Sequence, residues 1–118
     1  MSKINIKTTL INPEETQENK TKGIMIDNKL LYDENNSKIS IELEDDSVKM
    51  ITRSIEHILE LVFKEGNTTG KYTLISENAG IDVEIFTKLL QISKNYIKIN
   101  YIFNDEERTY EIEYEEIL

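Results

Sequence analysis

The sequence predicts an all-β fold, an antiparallel meander of short strands closed into a barrel. Three observations predict it. Apolar and polar residues alternate with a period of two along nearly every segment, the mark of strands with one buried face. Short polar turns separate these segments and no crossover helices intervene, so neighbours run antiparallel. A meander this long also has two free edges, and closing on itself removes both. A two-sheet sandwich is the alternative.

The elements follow in order. Lys3–Leu10 places Ile4, Ile6, Thr8 and Leu10 on one face, and Lys3, Asn5 and Lys7 on the other. Asn12–Asn19 is polar and reads as a connection. Lys22–Ile26 and Leu30–Tyr32 read as two short strands joined through Asp27-Asn28-Lys29. Lys38–Glu44 alternates most cleanly, with Ile39, Ile41 and Leu43 inside, and Asp45-Asp46-Ser47 turns the chain into Val48–Arg53. His57–Phe63 sets His57, Leu59, Leu61 and Phe63 on one face. Glu65-Gly66-Asn67 turns into Lys71–Ser76, and Glu77–Gly80 turns again, with Gly80 expected to supply a positive φ.

Residues 84–93 fit two patterns: a helix carrying Phe86, Leu89 and Leu90, or a strand with Val83, Ile85, Thr87 and Leu89 inside. The β-branched content favours the strand. Ser93-Lys94-Asn95 leads into Tyr96–Phe103, with Ile97, Ile99, Tyr101 and Phe103 on one face. Asn104–Glu107 reads as a hairpin loop. In the last strand Tyr110, Ile112 and Tyr114 oppose Glu111, Glu113 and Glu115.

A chain of 118 residues fits one domain, residues 1–118, with a core that needs no staples. It has no cysteine, which excludes disulfides and thiolate metal sites. No signal-like leader and no membrane-spanning apolar run is visible, so the expected setting is cytoplasmic. The net charge of −9 argues against nucleic acid as a partner, because a phosphate backbone would be repelled. Three Asn-x-Ser/Thr triplets, at Asn19, Asn35 and Asn67, read as chance in an Asn-rich chain.

Val48–Tyr114 resembles the YwiB-like proteins, an uncharacterised bacterial family. The residues that carry the resemblance are Arg53, Leu61, Phe63, Gly66, Tyr72, Gly80, Val83, Thr87, Leu90, Ile99, Tyr101 and the strand from Tyr110 to Tyr114. Gly23 through Tyr32 matches the family's second and third strands more loosely. The resemblance implies a calycin- or lipocalin-like barrel of about eight to ten strands, able to hold one small ligand. It supports strand over residues 84–93 and implies no catalytic residue. Two features depart from the family: Arg53-Ser54-Ile55-Glu56 lacks an expected glycine, and the second strand looks short.

No acid, base and nucleophile support one another in this sequence, so no enzyme is expected. No cofactor is implied, and the single His57 cannot build a histidine-rich metal site. The acidic runs at Glu42–Asp46 and Glu111–Glu116 read as solvated strand faces guarding an edge. Gly66–Lys71 lacks the spacing of a phosphate loop and reads as a hairpin turn.

Four residues are candidate ligand anchors. Arg53, at a strand end, has the planar fork for a carboxylate at the barrel mouth. His57 points inward by parity. Tyr72 and Tyr101 carry an apolar ring with one hydroxyl. Each also has a plain structural reading as an ion pair, a rim residue or core filling. Two functions follow: a carrier holding a small apolar or amphipathic molecule inside the barrel, or an interaction module that self-associates, for example as a homodimer through faces such as Ile51 and Ile102.

Overall fold

The structure, a computed structural model, describes residues 1–117. Ten strands succeed one another: β1 (Ser2–Ile11), β2 (Thr16–Ile26), β3 (Lys29–Glu34), β4 (Ser37–Leu43), β5 (Val48–Arg53), β6 (His57–Phe63), β7 (Gly66–Leu74), β8 (Ala79–Ser93), β9 (Tyr96–Phe103) and β10 (Glu106–Glu116). Each pairs antiparallel with the next, and β10 returns to pair with β1, so the sheet closes. A 3-10 turn at Ile75–Glu77 is the sole helical element among the described residues. None of the described helices is long and apolar enough to cross a membrane.

Short turns set the registers. Asn35-Asn36 and Asn104-Asp105 both have positive φ at two successive residues, the backbone that a two-residue hairpin needs. Asn is among the few side chains that adopt it at low cost. At the β7–β8 connection Asn78, not Gly80, takes the left-handed conformation, while Gly80 lies within β8. Gly66 has a positive φ of 104°. The stretch after it is strand rather than turn, so Gly66–Lys71 belongs to β7.

Two strands are longer than their patterns suggest. β2 begins at Thr16, and Thr16–Ile26 pairs with β1 along its whole length. The Thr16–Asn19 part of the expected connection is therefore strand, and the second strand is not short. Its first half lacks apolar residues and so does not read as strand: the inward positions are Gln17, Asn19 and Thr21, opposite Leu10, Thr8 and Ile6. β8 resolves the ambiguity over residues 84–93 as strand, with a register shift between Thr87 and Leu89. That bulge reverses the parity: Leu90 packs on the core, whereas Leu89, expected inside, is 41% exposed. Closure also removes the edge that the acidic faces were expected to guard.

The ladder is incomplete in two places. β2 pairs with β3 only through Gly23–Ile26, leaving Thr16–Lys22 without a strand on that side. β6 pairs with β7 only through His57–Glu60; beyond them the Thr68 hydroxyl donates to the Val62 carbonyl. A glycine sits beside each gap. A Cβ on Gly23 would overlap the Leu31 carbonyl oxygen and lie 2.7 Å from Ile6 Cδ1. Gly70 is buried, and a Cβ there would overlap the Glu60 carbonyl oxygen.

The interior divides into two halves. Around the turns that join β2–β3, β4–β5 and β8–β9, the side chains of Ile4, Ile6, Leu30, Ile41, Val48, Ile97 and Ile112 pack with essentially no exposure. Toward the turns β1–β2, β3–β4 and β9–β10, the lumen opens and polar groups join its apolar lining.

Candidate functional site

The open half encloses a cavity of about 260 Å³. Met50, Leu59, Leu61, Phe63 and Phe103 form its apolar wall, and Glu34, Tyr101, Arg108 and Tyr110 are among its polar residues. These polar groups reach it by parity. Glu34 closes β3 on the face of Leu30 and Tyr32, and Arg108 lies on the face of Tyr110 and Ile112 in β10.

Glu34 is the hub of the site. Its Oε1 accepts from Thr8 Oγ1 at 2.8 Å and from Asn19 Nδ2 at 2.9 Å; its Oε2 accepts from Tyr110 Oη at 2.8 Å. A phenol has one proton, so with Tyr110 donating to the carboxylate, Tyr32 donates to Tyr110 across their 2.8 Å contact. One carboxylate from β3 thereby ties down β1, β2 and β10. It does so at the gap where β2 and β3 have no ladder, so side-chain bonds replace backbone bonds as the closure of the wall. Burial, then Tyr32 and Glu34, hold the Tyr110 phenol far above its ordinary range. Burial likewise raises Tyr32, opposed by its bond to Tyr110. Both are therefore neutral donors at neutral pH, suited to hold a geometry rather than to attack or accept protons.

Arg108 differs from this satisfied cluster. Its Nη2 reaches Glu106 Oε2 at a long 3.4 Å, and its guanidinium lies 5.7 Å from the centre of the Phe103 ring. Its Nε is buried with no hydrogen-bond partner among the described residues. Tyr101 stands nearby, 4.9 Å from Phe63 between ring centres; burial raises its pKa and the Arg108 charge opposes that rise. Thr87 Oγ1, also buried without a partner among the described residues, sits at the β8 bulge.

The four anchors expected from sequence do not converge. Tyr101 lines the lumen cavity. His57 opens β6 half-buried at the rim, stacked on Tyr72 with ring centres 5.3 Å apart, and its Nδ1 lies 3.1 Å from Ser54 Oγ. Tyr72 lines a separate depression with Val83 and Phe103. Arg53 was expected at the mouth but is exposed on the outer surface, because its parity in β5 opposes that of Val48, Met50 and Thr52. Glu34, Arg108 and Asn19 went unnoticed in the sequence. The available signal was a polar residue on the core-facing parity of a strand, visible for Glu34 and Arg108 though not for Asn19 while β2 was read as loop. Among the described residues no group of three or more His, Cys, Asp or Glu could hold a metal ion.

Comparison with known proteins gives a match in structure alone. No family model and no curated protein matches the sequence. The crystal structure of the ywiB protein from Bacillus subtilis superposes with a TM-score of 0.72, covering 98% of this chain and 91% of that one, at 19% identity. The fold is YwiB-like. The resemblance carried by Val48–Tyr114 therefore extends over nearly the whole barrel, including β1 and β2. At 19% identity the YwiB likeness concerns the fold and assigns no site.

Proposed function

We propose that the barrel binds one compact amphipathic anion at its mouth. A carboxylate takes the Arg108 guanidinium, and a short hydrocarbon part lies on Met50, Leu59, Leu61 and Phe63. One observation carries the reading: a buried Arg108 Nε–H without a partner among the described residues, at the wall of a cavity that is otherwise largely apolar. Buried donors in native proteins are nearly always paired, and a ligand oxygen is one way to pair this one. Glu34 makes no ion pair with the guanidinium among the described residues; its oxygens accept from Thr8, Asn19 and Tyr110. The volume of 260 Å³ lies below the ~300–1,000 Å³ of drug-sized pockets and restricts the ligand to a few carbons beyond its acid group.

Isothermal titration and thermal shift with a series of short straight-chain carboxylates, and with the matching alcohols, test this. Binding should stabilise the fold for the acids and not for the alcohols. Arg108→Gln should remove the difference while leaving the protein folded. Equal response to acid and alcohol, or unchanged acid binding by Arg108→Gln, would overturn it.

A further inference from the structure

The outer wall of β2–β5 carries a groove of about 620 Å³, distinct from the lumen. The strand registers show how it is built. Ile24, Leu31, Ser40 and Ile51 pair in succession from β2 to β5, forming an apolar row across the strands, with the small Ser40 leaving a depression. Ile117 adds to the floor and is tied down by its N–H donating to the Lys3 carbonyl. Two residues along each strand toward the mouth lie Lys22, Asp33, Lys38 and Arg53. Two residues the other way lie Ile26, Lys29, Glu42 and Lys49. The apolar row thus runs between two charged rows in which cations outnumber acids.

That is unusual for a chain with 23 acidic and 14 basic residues. None of Lys22, Lys29, Lys38, Lys49 and Arg53 makes an ion pair among the described residues, although acids are abundant. These side chains are held in water at one face, where the local charge opposes that of the whole molecule. Such a patch attracts acidic partners against the overall repulsion.

We infer that this groove docks an amphipathic acidic α-helix of a partner protein. The dimensions favour a helix. The charged rows each stand two residues from the apolar row, so they are separated by roughly 13 Å, which admits a helix about 10–12 Å across. From Ile24 to Ile51 the row spans three strand spacings, roughly 14 Å, or about ten helical residues. Apolar positions at helical spacing fit the row, with acids on both flanks facing the cations. An added strand does not fit along the row, because Leu31, Ser40 and Ile51 are each already paired on both sides. A second copy of this chain does not fit either, since its described residues contain no α-helix to offer.

Fluorescence anisotropy of a labelled model peptide tests the inference. The probe is a helical peptide of about fourteen residues with leucines on one face and glutamates on both flanks. A control peptide carries lysine in place of glutamate. The full chain should bind the glutamate peptide and not the control, and raised salt should weaken binding by roughly tenfold or more. Lys38→Glu/Arg53→Glu, at exposed positions, should weaken it by at least a similar factor with an unchanged melting temperature. If that variant fails to fold, Ile51→Gln serves in its place. Equal binding of both peptides, indifference to the substitutions, or binding to anionic phosphatidylglycerol vesicles in place of the peptide would overturn the inference.

Discussion

The two halves of the barrel interior solve the same problem by different means. In the packed half, branched aliphatic side chains fill the space between β1, β10 and β9, whose ladders run unbroken. In the open half, the β2–β3 ladder stops at Gly23, and a carboxylate with its donors spans the gap. Hydrophobic packing spreads its contribution over many non-directional contacts. A polar hub concentrates it in one residue and leaves room for a cavity. Closure by side chains is what permits a hollow mouth.

Substitutions in each half sharpen this contrast. In the packed half, Ile41→Ala or Leu30→Ala should cost about 2–5 kcal/mol, since both are fully buried and the surroundings have little freedom to collapse. Urea unfolding measures it, and a cost near zero would mean that the half is not packed as described. Glu34→Ala should cost about 2–4 kcal/mol, because it strands Thr8, Asn19 and Tyr110 together. Leu59→Ala, at the cavity wall, should cost less than Ile41→Ala.

Within the hub, Tyr110→Phe should cost about 1–3 kcal/mol, and Tyr32→Phe in that background should add little, because the Tyr32 donor has already lost its acceptor. Simple additivity of the two would remove the Tyr32–Tyr110–Glu34 relay. A separate effect is expected at alkaline pH. Tyr96, bonded to Glu111, has its pKa pushed up from 10.0 to about 12, its cause being first that hydrogen bond. A raised folded value means that the unfolded chain loses the proton first. Stability is thus fully present below pH 10 and falls as the pH rises toward 12, with the buried Tyr32, Tyr101 and Tyr110 acting in the same direction. Tyrosine absorbance against pH, compared for the native chain and Tyr96→Phe, follows it.

Where apolar residues alternated, the sequence was legible: β4, β9 and β10 lie close to where the pattern put them, and closure followed from the number of edges to be hidden. It failed where the inward face is polar. Gln17, Asn19 and Thr21 carry no hydrophobic signal, so half of β2 read as a loop. A bulge leaves no mark in composition, so Leu89 was placed inside. The site was less legible than the fold for a related reason. Glu34 and Arg108 sit among other acids and bases in the sequence; parity turns both inward, but that they meet depends on β3 ending at the mouth where β10 begins. Arg53 has the chemistry of an anchor, but its parity in β5 turns it away from the lumen.

The pairing of β1 with β10 also has a temporal consequence. The two strands that seal the circle are separated by almost the full length of the chain, so the nascent polypeptide leaves the ribosome as an unsealed ribbon. Until its last strand emerges, Ile4 and Ile6 have no companion on one flank. During that interval the protein is open to mispairing with other chains, a hazard that ends once the final strand is made.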